Sequence, residues 1–278
     1  MRILILIAVA MSLALPAAAE RFMGRKVEIV DGRTDPGRPA PLVVVLHGFL
    51  GTGPNMRKKT RYDLLARQAG FVAVFPNGRK RRWNDGRSPG NQVDDVAFLS
   101  ALIGRLVEDG QADPDRVFVA GHSNGGGMAM RMACDRPDLV RGIAVVATKI
   151  ALNYPCRQGR PMPAMILQGT RDPISPHQGR AADSRLGGAM SSAKSLALWA
   201  GRNRCTGAGS VTRLDRHDDG TSAVVTNYAG CTAPLLSVVI EGHGHDWPGP
   251  NGKRTAVQGP ATREVDATVL SWDFFRGL

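Results

Sequence analysis

The sequence predicts an α/β fold in which helices flank a mostly parallel central sheet. Three observations lead there. Continuous β-branched apolar runs such as Leu42-Val43-Val44-Val45-Leu46 suit strands buried on both faces, as parallel strands are. Those runs alternate with segments of helical periodicity, the order of a sheet wrapped by helices. A length of 278 residues with 43% hydrophobic content suits one large domain and excludes a disordered chain.

In order along the chain, residues 1–19 read as a removed leader. Arg2 supplies a positive start, residues 3–15 are apolar apart from Ser12, and Pro16-Ala17-Ala18-Ala19 has the small residues of a cleavage site. The apolar run is shorter than the roughly 20 residues of a membrane-spanning helix. A mature chain of residues 20–278 is expected, a single domain exported to the periplasm or the outside, with no membrane span. Residues 42–46 form a strand ending at His47-Gly48, and residues 60–69 a helix with Leu64 and Leu65 on one face. A strand at 71–75 closes at Pro76-Asn77-Gly78. Asp94 or Asp95 caps a helix carrying Val96, Phe98, Leu99, Leu102, Ile103 and Leu106. A strand at 116–120 and a helix at 124–134 follow, then strands at 143–147 and 164–167 and a helix at about 189–200. The strand at 235–240 precedes a closing helix at about 262–275, and residues 26–30 and 223–227 are expected as antiparallel edge pieces.

Export makes disulfides available to the four cysteines. Four cysteines allow three pairings, of which Cys134–Cys156 with Cys205–Cys231 closes the shorter loops. The formal charge of +12 favours anionic surroundings, but the cations are dispersed. The densest run, Arg79-Lys80-Arg81-Arg82, lacks interleaved aromatics, so a solvated basic face is expected and nucleic-acid binding is not. No His, Cys or Asp spacing suggests a metal, and no cofactor is expected.

Chemistry enters at Gly121-His122-Ser123-Asn124-Gly125, a Gly-x-Ser-x-Gly pattern between a strand and a helix. That context makes it the nucleophile elbow of the α/β-hydrolase fold, where a strained turn projects the serine hydroxyl at a helix N-terminus. A hydroxyl needs a base to become a nucleophile, and in this fold the partners follow in the order serine, acid, histidine. Asp172 lies just beyond the 164–167 strand, at the strand's carboxyl end where such sheets gather ligands. The histidine is expected after the 235–240 strand, where the residues alone leave His243 and His245 both open. His122 is too close to Ser123 in sequence and is expected to pack beneath the turn. The oxyanion donors are expected from the backbone N–H of Asn124 and from the loop after residue 46, with Phe49 as its provider.

Together these residues resemble the polyhydroxybutyrate-depolymerase-like esterases, which include feruloyl and acetylxylan esterases of similar build, over about residues 25–275. The resemblance is carried by Val45-Leu46-His47-Gly48, Trp83-Asn84, Val93-Asp94-Asp95-Val96, the elbow with Gly126, and His245-Asp246-Trp247-Pro248-Gly249. The last piece looks like the family's Gly-His-x-Trp-Pro-Gly signature, which implies that His245 is the base. The resemblance also implies that Trp83, Asn84 and Trp247 line the substrate cleft, and that the Val-Asp-Asp-Val segment caps and orients a helix. It implies an exported serine esterase acting through an acyl-serine on hydroxyalkanoate oligomers or similar soluble esters. A linker and polymer-binding domain, usual in enzymes that attack solid polyester, are not visible in the sequence. The alternatives are a feruloyl or acetylxylan esterase of plant cell walls, a peptidase of the same fold, and a non-catalytic envelope-binding protein with a vestigial site.

Overall fold

The computed structural model describes residues 18–278, except 89, 155, 157, 158, 185 and 253. Strands β1 (Ala18–Phe22), β2 (Arg25–Asp31) and β3 (Ala40–Leu46) come first, followed by helices α1 (Gly53–Thr60) and α2 (Tyr62–Ala69). Next come β4 (Val72–Pro76), α3 (Asp95–Glu108), β5 (Ala112–His122), α4 (Asn124–Asp135), β6 (Gly142–Val146) and β7 (Ala164–Gly169). Helix α5 (Ser192–Arg202), strands β8 (Gly207–Leu214), β9 (Ser222–Ala229) and β10 (Leu235–Glu241), and helix α6 (Ala267–Arg276) complete the chain. The strands form one ten-stranded sheet in the order β1-β2-β4-β3-β5-β6-β7-β10-β9-β8. Strands β4, β3, β5, β6, β7 and β10 run parallel, with antiparallel pairs at both edges. This is the α/β-hydrolase architecture.

Alternate residues of each central strand feed two cores. Leu42, Val44 and Leu46 meet Leu99, Leu102, Met128 and Ala129 from α3 and α4 on one face. Val43 and Val45 meet Met56, Tyr62, Ala66 and Phe275 from α1, α2 and α6 on the other. Both faces are covered, so the strands read as unbroken apolar runs.

Departures from the expected elements have local causes. The helix expected at 60–69 is α2, which starts at Tyr62 because Arg61 enters the left-handed region with φ 58°, and α1 before it, closed by the same residue, was not expected. Among the residues of α1 only Gly53, Met56 and Thr60 are buried, so its sequence carries little apolar periodicity. The closing helix starts at Ala267 because the Asp266 carboxylate caps it, accepting from the Thr268 and Val269 amides. Strand β8 is exposed almost throughout and shows no alternation to read. Ala18 and Ala19, assigned to the leader, pair with Ile29 and Glu28, while residues 1–17 lie outside the described residues.

Both expected disulfides are present, Cys134–Cys156 and Cys205–Cys231, closing segments of 22 and 26 residues. Each loop closure stabilises the fold by roughly 3 kcal/mol through the unfolded chain. The Cys205→Ser/Cys231→Ser variant should therefore lose about 3 kcal/mol in urea unfolding. An unchanged midpoint would show that this bridge does not hold the edge strands.

Candidate active site

Strand β5 passes into α4 through Ser123 alone. Ser123 sits at φ 54°, ψ −119°, a conformation that a side chain adopts only when its surroundings impose it. They do so here by close approach. A Cβ at Gly121 would lie 2.2 Å from the Gly125 carbonyl oxygen, and one at Gly125 would lie 2.3 Å from that of Leu46. The Ser123 amide donates to Val146 O at 2.8 Å, tying the turn to β6.

Asp172 follows β7 and is 4% exposed. Its Oδ1 accepts from the Ile174 and Ser175 amides at 2.9 and 2.6 Å, which leaves Oδ2 facing His245. Oδ2 lies 2.8 Å from His245 Nδ1, and His245 Nε2 lies 2.8 Å from Ser123 Oγ. A carboxylate only accepts, so Nδ1 carries the imidazole proton and Nε2 accepts from the serine hydroxyl. The loop after β10 that holds this histidine is pinned by two backbone bonds, His245 N–H to Gln258 O and Gly244 N–H to Pro260 O. Lys59 of α1 ties the same loop through an ion pair with Asp246 at 2.5 Å.

The structure thus brings His245, and not His243, to the serine. His243 is buried with Nε2 3.3 Å from the Asp246 carbonyl oxygen, and burial holds its pKa below the ordinary value. His122 is also buried, its ring centroid 5.0 Å from that of His245. Burial, then the neighbouring His245 and Lys59, hold it well below the usual histidine range, so it is neutral.

The two backbone N–H groups expected as oxyanion donors lie on elements on either side of Ser123. Asn124 opens α4, where an amide has no partner within the helix. At the loop after β3, the Gly48 carbonyl accepts from His47 Nδ1 at 2.7 Å and from the Gly51 amide at 2.9 Å. The peptide is trans, so the Phe49 N–H on the same plane points the opposite way. His47 Nε2 accepts from the Gly78 amide at 2.9 Å, which assigns the proton to Nδ1. Phe49 and Leu50, 55% and 56% exposed, share with Met56, Lys59, Ile174, Ser123 and His245 a cleft of about 320 Å³.

The expected lining by Trp83 and Trp247 requires correction, while Asn84 is half-buried. Trp83 is 2% exposed, and its indole N–H donates to His47 O at 2.9 Å. Asn84 uses its side-chain amide on the Val93 carbonyl at 2.9 Å. Trp247 is 1% exposed, bonded to Thr268 Oγ1 at 3.0 Å and packed on Tyr62. The indole N–H groups of the two tryptophans find partners inside the protein, so these two support the site from behind. Asp94 caps α3 through Ala97 N–H, and Asp95 pairs with Arg25 at 2.5 Å.

Sequence reasoning missed Lys149, which is 1% exposed. Its ammonium donates to the Ser175 carbonyl and lies 3.3 Å from Ser175 Oγ, beneath the Asp172 turn. Burial pushes its pKa down to about 8, partly offset by the Asp172 charge. Arg180 donates to Ile174 O at 2.8 Å in the same turn. Neither residue stands in a motif, and only the fold brings them to the acid. Among the described residues no group of three or more His, Cys, Asp and Glu side chains is placed to hold a metal ion, and no helix is long and apolar enough to cross a membrane.

Comparison with known proteins bears on the family likeness and the fold. Residues 36–152 match the family described as Esterase PHB depolymerase. A Nocardia uniformis subsp. tsuyamanensis protein assigned as an esterase, NocK, is 28% identical over 94% of this chain and 85% of its own. Feruloyl esterase C of Emericella nidulans is 27% identical over 90% of this chain and 82% of its own. Among solved structures, an acetyl xylan esterase from Aspergillus awamori superposes with a TM-score of 0.60 at 18% identity, over 81% of this chain and 90% of that one, a likeness of fold.

His47 joins the two loops of the site only while neutral, and burial pushes its pKa from 6.5 to about 4. The unfolded chain therefore binds this proton first as the pH falls. The residue's contribution to stability is complete above pH 6.5 and is lost as the pH drops toward 4. It should amount to about 3 kcal/mol between pH 7 and pH 4. Urea unfolding of His47→Asn, whose amide N–H replaces that of Nδ1, should show a loss smaller than wild type by about that amount. Equal losses would contradict the assignment.

Proposed function

We propose that this chain, a relative of the PHB-depolymerase-like esterases, is an exported serine hydrolase that cleaves carboxylic esters through an acyl-Ser123 intermediate. The observation that carries this reading is the unbroken relay from Asp172 through His245 to Ser123, with both contacts at 2.8 Å.

His245 Nε2 removes the hydroxyl proton as Ser123 Oγ attacks the ester carbonyl carbon. Asp172 keeps the imidazole in the Nδ1–H form and stabilises its charged state. The carbonyl oxygen becomes the oxyanion and accepts from the Phe49 and Asn124 amides. The C–O bond to the alcohol then breaks, and His245 delivers its proton to the departing oxygen. Water enters by the same route, His245 taking its proton as it attacks the acyl carbon, and the acid leaves while Ser123 regains its hydrogen.

Soluble esters suit a cleft of about 320 Å³ edged by Phe49, Leu50, Met56 and Ile174. Hydroxyalkanoate oligomers are the first candidates, in keeping with the family matched by residues 36–152. A second reading, esters of plant phenolics, draws support from the likeness to feruloyl esterase C over nine-tenths of the chain. Export is supported by the two disulfides, which persist in oxidising compartments.

The assignment of the base is tested by comparing His245→Ala with His243→Ala on p-nitrophenyl butyrate. The former should lower kcat by roughly 10⁵–10⁶-fold, and the latter by less than about tenfold. Equal losses would overturn the mechanism. Rates on hydroxybutyrate oligomers and methyl ferulate then decide between the two substrate classes.

A further inference from the structure

The run Arg79-Lys80-Arg81-Arg82 takes no part in the mechanism, yet it lies against the loop that carries Phe49. We propose that this run braces the Gly48–Phe49 peptide in its donating orientation, with Arg81 as the positioning residue. The proposal rests on the acyl-Ser123 reading.

Backbone strain marks the contact. Lys80 and Arg81 have φ 51° and 58°, and Leu50 opposite them has φ 59°. None of the three is glycine, and side chains rarely adopt the left-handed region unless it is imposed. Strain of this kind gathers at functional sites, where the surroundings over-determine it. Here a two-point clamp imposes it. The Leu50 amide donates to the Arg81 carbonyl at 2.8 Å, and the Arg81 guanidinium donates back to the Leu50 carbonyl.

The flanks of the run grip the same loop. Gly78 N–H donates to His47 Nε2 and the Trp83 indole N–H donates to His47 O, both at 2.9 Å. A Cβ on Gly78 would lie 2.4 Å from the Arg82 carbonyl oxygen, so the run folds back only on glycine. Trp83 also pairs with the residue that carries the other donor. Its amide donates to Asn124 Oδ1 at 2.7 Å, and Asn124 Nδ2 donates to its carbonyl at 3.0 Å. One segment, residues 78–83, therefore ties both oxyanion donors together. If the Gly48–Phe49 peptide turned over, a carbonyl would replace the N–H facing the oxyanion, and donors contribute most when their orientation is set before the reaction.

The test uses a p-nitrophenyl ester and its thiono analogue, in which C=S replaces C=O. Sulfur is a weak acceptor, so oxyanion donors assist the thiono ester less. For Arg81→Gln, an exposed position, kcat on the oxygen ester should fall about 10–100-fold with KM within about threefold, and the thiono rate should fall by no more than about threefold. Arg81→Lys, which keeps one donor, should recover a large part of the oxygen-ester rate. Wild-type kcat in Arg81→Gln, or equal losses on both esters, would overturn the brace while leaving Ser123 as the nucleophile. A wild-type protein inactive on both esters would overturn the acyl-Ser123 reading and the brace with it.

Discussion

One constraint governs the rest: strand β5 must become helix α4 within a single residue while α4 presses on the end of β3. Gly121 and Gly125 permit this, since side chains at either position would meet backbone oxygen at 2.2–2.3 Å. The cost falls on Ser123, held at φ 54°. In return the hydroxyl stands clear of the sheet, beside the first amides of a helix whose dipole favours negative charge.

The parallel sheet makes that one turn into a site. Strands β3, β5, β7 and β10 point the same way, so their following loops emerge at one edge. They deliver the Gly48–Phe49 peptide, Ser123, Asp172 and His245 respectively. Each loop is then fixed by bonds that do not involve the reacting atoms. The Ile174 and Ser175 amides hold Asp172 Oδ1, the Gln258 carbonyl holds the His245 backbone, and His47 Nδ1 holds the Gly48 carbonyl. Preorganised donors and bases of this kind need no rearrangement as charge develops.

Much of this was legible in the sequence because burial on both faces writes itself as unbroken apolar runs, and the elbow needs its glycines. Asp172 was legible from its place after a strand. The choice between His243 and His245 was not, since both stand beside glycine in the same loop; the family resemblance pointed to His245, and loop geometry determines which ring reaches Ser123. Trp83 and Trp247 misled because nearness in sequence to a motif says nothing of which way a side chain turns. Trp83 and Trp247 turn inward, where His47 O and Thr268 Oγ1 satisfy their N–H groups. Lys149 and strand β8 stayed hidden for opposite reasons. The lysine is buried by tertiary contacts alone, and the strand has no buried face to give it a period.

The central claim is that Ser123 is an activated nucleophile, and a serine-reactive phosphonate tests it most directly. Treatment of the wild-type protein followed by peptide mass mapping should give one adduct, on the peptide containing Ser123, and none in Ser123→Ala. A folded wild-type protein that the probe leaves unmodified, or labelling that persists in Ser123→Ala, would contradict the account.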